Sequence, residues 1–337
     1  MKSILLLIVS VLLIGCESNA LQSVADVERN RPASIGYVGN PEDVSTDHEF
    51  LIVLAGGGLD QDDAMRRMVQ AASGGNITVL RSTGTAAYNP YLYGLAPVGS
   101  VETFLIDSQQ RASNPRTNVL IRNSEVVFVT GGDQQDYARA WTNSPLEVTI
   151  QELVRDKNIT FGGTSAGAMI WGGVYYDAIF GSLTGHDAMA NPLDPRVSLR
   201  PGLFGSHPIL QDRIIETHFR ERDRQGRLLT FMAKAGSEVY SGIGLDEQTA
   251  LIIDENGIGT TYGIGFVWFY LPQDGLAPEI LQSGRPLTWD HDRRAVRVWK
   301  LGNGERFDLN NNKPLDRPAG YFAFVQDGTF TIEADDE

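Results

Sequence analysis

One cysteine stands in this 337-residue chain, at position 16. An internal disulfide is therefore excluded, and so is a zinc site built on paired thiolates. Histidine is scarce as well, with five residues and no H-x-x-x-H pair. No metal site is expected from that supply. Positive charge is the third shortage: 28 Lys and Arg face 42 Asp and Glu, a formal net charge of −14. Such a balance argues against nucleic acid as a partner. A phosphate-binding loop is missing too. Gly56-Gly57-Gly58-Leu59-Asp60 has neither the lysine nor the spacing for phosphate, and no cofactor is expected. What remains, 42% hydrophobic and 21% charged, is an ordinary globular composition.

The N-terminus differs from the rest. Lys2 supplies one charge, residues 4–14 form an almost unbroken apolar run, and Gly15-Cys16 follows. The run is too short for a stable membrane span and has the shape of a secretory signal. Leu13-Ile14-Gly15-Cys16 resembles the lipobox of bacterial lipoproteins. That resemblance implies cleavage before Cys16 and acylation of its thiol. The protein would then be secreted and lipid-anchored to a bacterial membrane, outer or on the periplasmic side. Residues 1–16 are read as signal and lipobox, and the polar residues 17–47 as a tether.

From residue 48 the pattern is that of a folded body. Apolar, β-branched runs at 50–55, 77–80, 101–106, 126–130 and 159–161 alternate with helical spacing at 60–72 and 145–156. This alternation predicts an α/β fold with a parallel sheet covered on both faces. The glycine turns at 56–58, 131–132 and 162–163 follow strand ends, so they should gather on one rim, where ligands bind. Further strands are expected at 213–217 and, as a pair, at 238–245 and 249–253, with a basic helix-like segment at 219–235. The main domain is expected to span 48–272. A small β-rich extension, 273–337, is expected after it.

Gly163-Thr164-Ser165-Ala166-Gly167 fits the G-x-S-x-G pattern of a nucleophile elbow, between a strand-like run and helix-like residues. A serine nucleophile needs a base, and the base needs a carboxylate. His218 closes the run Ile214-Ile215-Glu216-Thr217 and is the best-placed base. Asp246 and Glu247 close another strand. Neighbouring residues alternate faces at a strand end, so one of the two can serve. Asp60, Asp62 and Asp63 follow the first glycine turn, where they could attract a basic group or simply begin a helix.

Five pieces together are similar to the cyanophycinase and aspartyl-dipeptidase family of serine exopeptidases, nearest its cyanophycinase branch. They are G-G-G at 56–58, T-G-G-D-Q at 130–134, G-G-T-S-A-G-A at 162–168, H-F-R-E-R-D-R-Q-G-R-L at 218–228 and G-I-G-L-D-E-Q-T-A at 242–250. The resemblance implies a sandwich like that of class I glutamine amidotransferases, with serine in place of cysteine at the elbow. It implies Ser165 as nucleophile, His218 as base and Glu247 rather than Asp246 as orienting acid. Gly132 and Ala166 would supply the oxyanion hole. Asp133, Gln134, Arg222, Arg224 and Arg227 would line the substrate site. The expected substrate is an aspartyl or β-aspartyl peptide, with cyanophycin-like polymer cut to β-Asp-Arg dipeptides. A general aspartyl or isoaspartyl dipeptidase and a non-catalytic ligand-binding lipoprotein are the competing readings. Expected partners are the peptide and, through the lipid, a membrane; assembly as a homodimer is left open. Glu216-Thr217 departs from the family's Asp-Gln, at the wall of the substrate pocket.

Overall fold

A computed structural model describes residues 30–335, apart from 206, 237, 238, 240 and 274. The signal, Cys16 and the first part of the expected tether lie outside these residues. Among these described residues eighteen strands follow in chain order. They are β1 (Ser34–Gly39), β2 (Ile52–Ala55), β3 (Asn76–Arg81), β4 (Ser100–Leu105), β5 (Val126–Val129), β6 (Thr160–Thr164), β7 (Val174–Tyr176), β8 (Leu199–Pro201) and β9 (Arg213–Thr217). Then come β10 (Ser241–Leu245), β11 (Thr249–Ile253), β12 (Ile258–Gly263), β13 (Val267–Pro272), β14 (Val296–Leu301), β15 (Arg306–Asp308), β16 (Lys313–Pro314), β17 (Ala319–Gln326) and β18 (Thr329–Ala334).

They form two sheets. The larger has the order β1-β4-β3-β5-β6-β2-β11-β12-β15-β16, the smaller β18-β17-β14-β13-β10-β9-β7-β8. Pairing is parallel from β4 through β3, β5 and β6 to β2, and again through β10, β9 and β7. The expected α/β fold with a largely parallel core is present. So is the β-rich C-terminal part, but its strands are not a separate layer: β14, β17 and β18 extend one sheet, β15 and β16 the other. Phe269 of β13 stacks on Phe307 of β15 at 3.8 Å and joins the two.

Strand alternation explains the layering. On β2, Ile52 and Leu54 enter the core between the sheets, which also takes Trp141 and Ile150 from two helices and Ile243 and Phe269 from the second sheet. Leu51, Val53 and Ala55 point the other way, onto Met65, Met68 and Val69 of the helix Asp62–Ala71. Both faces are buried, as a strand inside a sheet covered on both sides requires. The helix Gln225–Ala235 covers the outer face of the second sheet with Leu228, Leu229 and Met232. Among the described residues no helix is long and apolar enough to cross a membrane.

Two expectations need correction. The strands expected as a pair at 238–245 and 249–253 lie in different sheets, β10 pairing with β9 and β13, and β11 with β2 and β12. A three-residue turn, too short to signal a crossover in sequence, carries the chain from one sheet to the other. Residues 34–39, read as tether, form edge strand β1 against β4. Two glycines among its six residues hide this strand in the sequence. A half-buried ion pair also fastens the segment: Arg31 donates to Glu102 through Nε at 2.7 Å and Nη2 at 2.5 Å. Glu102 is 5% exposed. Arg31→Met would leave this carboxylate buried without its partner. A loss of about 1–3 kcal/mol is expected, measured as a lower urea midpoint at unchanged slope.

Candidate active site

Strand β6 is buried throughout and ends at Ser165, whose φ of 54° and ψ of −127° lie outside the regions open to ordinary L-residues. The helix Ala166–Met169 starts immediately after. Gly167 is obligatory here, because a Cβ would run into the carbonyls of Val129 and Thr130. The serine is thus held at a strained turn with its hydroxyl off the end of the sheet, as the G-x-S-x-G pattern predicts.

His218 follows β9 directly, also at positive φ (47°). Glu247 sits in the turn between β10 and β11, and Gln248 beside it has φ 55°. These segments meet at one place. Ser165 Oγ lies 2.7 Å from His218 Nε2, and His218 Nδ1 lies 2.5 Å from Glu247 Oε1. An ionised carboxylate accepts only, so Nδ1 carries the proton and Nε2 is left to accept from the serine hydroxyl. Burial holds the His218 pKa below the ordinary histidine value of 6.5. The hydrogen bond donated to Glu247 pulls it back, while the cations Arg222 and Arg224 add to the lowering.

The first glycine turn aligns all three. Ser165 N–H donates to Ala55 O at 3.0 Å, His218 N–H to Gly56 O at 2.9 Å, and Gln248 N–H to Gly57 O at 2.8 Å. Gly57, at φ +94°, lies against the imidazole, and a Cβ there would overlap the ring. The sequence marks this segment only as a rim turn; its role as a platform for the other three was missed.

The two strand-end acids have different partners. Asp246 faces away from the imidazole and is fully buried, accepting from Arg220, Phe266 and Trp268. Glu247 takes the histidine.

The remaining candidates separate. Gly131 packs on Ser165, with Gly132 next to it at the exposed end of the turn. Ala166 opens the elbow helix, where amide N–H groups have no acceptor within the helix. Gln134 reaches the elbow helix, its Nε2 3.0 Å from Met169 Sδ. The Asp133 carboxylate instead caps the helix Gln134–Trp141, accepting from Gln135 N at 3.0 Å.

Arg227 is not available to a substrate. It is 3% exposed and gives Nε and Nη2 to Glu216 at 2.8 and 2.7 Å, and Nη1 to Leu183 O at 3.0 Å. Glu216 has no exposure, and a carboxylate that deep must be paired. Burial alone would raise its pKa; the charges of Arg227 and Arg224 outweigh this and hold it low. Arg224 is partly committed, its Nη1 donating to Glu216 and to Thr217 O at 3.1 and 2.9 Å. Arg222 is exposed, and among the described residues its side chain makes no hydrogen bond or ion pair.

A groove of about 460 Å³ lies on the same rim, lined by Leu59, Asp60, Asp62, Ala87, Tyr88 and Tyr91. Its walls follow β2 and β3, the strands that flank β5 and β6 in the sheet. Its described lining holds none of Ser165, His218 and Glu247. Tyr88 Oη donates to Asp60 at 2.6 Å and Tyr91 Oη to Asp62 at 2.9 Å. Burial raises the pKa of Asp60, against the pull of the Tyr88 hydroxyl. Among the described residues no group of three or more His, Cys, Asp or Glu could hold a metal ion.

The model of Peptidase family S51 matches residues 105–261, which hold the elbow, the histidine and the acid. The cyanophycinase of Geminocystis herdmanii is 25% identical over 279 residues, covering 78% of this chain and 95% of that protein. The cyanophycinase of Trichormus variabilis is 27% identical over 212 residues, 62% of this chain and 65% of that one. A crystal structure of a peptidase from an acI-B1 actinobacterium matches at a TM-score of 0.52 and 17% identity, over 77% of this chain and 97% of that one, a likeness of fold. The chain is thus similar to peptidases. Among them, the family resemblance carried by the five motifs is shown, to Peptidase family S51 and its cyanophycinase-like members.

If His218 must be neutral to take a proton, activity falls as pH drops through its pKa. Because that pKa is depressed, the acid limb of kcat/KM is expected below the ordinary histidine value. Arg222→Gln removes a positive neighbour, so the limb should move up in pH. A pH profile of both proteins checks the direction.

Proposed function

We propose that this chain is a serine exopeptidase hydrolysing aspartyl and β-aspartyl peptide bonds, with a cyanophycin-like polymer as substrate and β-Asp-Arg dipeptides as product. The observation that carries the reading is the unbroken line from Ser165 Oγ through the His218 ring to Glu247, at 2.7 and 2.5 Å, on a strained elbow. The cyanophycinase relatives support the substrate class.

In this reading the serine oxygen attacks the scissile carbonyl carbon as His218 Nε2 takes its proton. The amide N–H groups of Gly132 and Ala166 bind the resulting oxyanion. Loss of such a donor costs about two to three orders of magnitude in rate. The C–N bond breaks as the proton passes from Nε2 to the leaving nitrogen. Water then attacks the acyl carbon, gives a proton to Nε2, and the serine leaves with it. Glu247 steadies the imidazolium throughout. Arg222 is the free guanidinium beside the base, suited to a substrate carboxylate. Gln134 lines the approach to the elbow. The acidic, aromatic groove takes the basic side of the substrate, where tyrosine faces and two carboxylates favour a guanidinium. Secretion and anchorage through the lipid on Cys16 complete the proposal and rest on the sequence of residues 1–16.

Protein lacking residues 1–16, incubated with cyanophycin, should release β-Asp-Arg. Ser165→Ala should reduce release by about 10⁴–10⁶-fold. Turnover confined to short isoaspartyl peptides would replace the polymer reading with a general dipeptidase. No turnover on either would favour a ligand-binding protein.

The groove makes a separate prediction. Exchanging both carboxylates, Asp60→Asn with Asp62→Asn, should lower kcat/KM for an arginine-bearing substrate about tenfold relative to its citrulline analogue. An unchanged ratio would remove the groove from the substrate site.

A further inference from the structure

We infer that Asp246, the acid not used on the histidine, positions the His218–Glu247 pair by clamping Arg220. The inference rests on the serine-peptidase reading of Ser165, His218 and Glu247.

The chemistry-bearing residues here stand on turns, not within strands. His218 lies at positive φ one residue past β9, and Glu247 sits in the three-residue crossover after β10. Asp246 directly precedes Glu247, and Arg220 lies two residues after His218. The Asp246 carboxylate joins them. Its Oδ1 accepts from Arg220 N and Trp268 Nε1, both at 3.3 Å. Its Oδ2 accepts from Arg220 Nε at 2.6 Å and Phe266 N at 3.0 Å. Asp246 is held in turn, since its N–H donates to Phe266 O at 3.1 Å. Phe219 N–H donates to Leu245 O at 3.1 Å, a second stitch between the same two turns. The Arg220 guanidinium lies over the Phe266 ring, 5.0 Å from its centre, which limits its freedom. A fully buried carboxylate with four donors, fastened to the residues flanking both members of the pair, fixes where Glu247 can meet Nδ1. Positioning to a fraction of an ångström is what such a pair needs.

Asp246→Asn tests this directly. Each carboxylate oxygen serves two donors, so whichever way the amide turns, two N–H groups face its NH₂. The expected result is a fall in kcat of about 10–100-fold with KM little changed. The low-field proton resonance of the His218 Nδ1–H···Glu247 bond should be lost. Arg220→Lys keeps a cation beside the buried carboxylate and loses the Nε bond, so this variant should fold even if Asp246→Asn does not. It should move kcat and the resonance in the same direction by less. Folded variants that keep wild-type kcat and an intact resonance would overturn the proposal. The resonance decides the matter even where the wild type shows no turnover, a result that would count against the peptidase reading alone.

Discussion

Three consecutive carbonyls at the end of β2 organise the whole site. Those of Ala55, Gly56 and Gly57 receive the amides of Ser165, His218 and Gln248. Strand β2 is the hinge of this arrangement, because it pairs with β6, which delivers the serine, and with β11, which leaves the acid turn. The base arrives from the other sheet and has no strand pairing with β2. Its amide bond to Gly56 supplies the register that pairing would otherwise give. Each of the three donors stands at positive φ, a conformation costing about 1–3 kcal/mol that persists only where surroundings over-determine it. A platform of backbone bonds does so without using a side chain, and leaves the side chains for chemistry.

Buried carboxylates then decide which cations are free. Glu216 and Asp246 are both fully buried, and both lie within two residues of a member of the candidate triad. Glu216 takes Arg227 entirely and Arg224 in part; Asp246 takes Arg220. Removing a buried charge's partner is far more costly than removing an exposed ion pair. The arginines held in this way are therefore parts of the wall. Arg222, carried outward on the same segment, stays open to solvent and to substrate. A run of four arginines that reads as one basic face in sequence is divided by depth into structure and candidate function.

Much of this is legible in the sequence. Alternating β-branched runs and helical spacing gave the α/β class, and the helix Pro145–Asp156 and strand Arg213–Thr217 fall where periodicity places them. The elbow could be read because G-x-S-x-G is a local steric requirement. Strand β1 could not, because it is held by long-range pairing with β4 and by the ion pair of Arg31, just before it, with Glu102. The division of β10 and β11 between sheets was equally hidden, since a short turn looks the same whether it closes a hairpin or crosses between layers.

The sequence by itself determined the local chemistry: a serine at a strained turn, a histidine at a strand end, two adjacent acids, glycines where backbones crowd. These follow from sterics and periodicity within a few residues. Tertiary structure decided which acid meets the imidazole, which arginines are spent on buried carboxylates, and that a glycine turn more than a hundred residues earlier in sequence holds all three segments together. Burial and the bonds between distant backbones settle those questions, and neither is a property of any short stretch of chain.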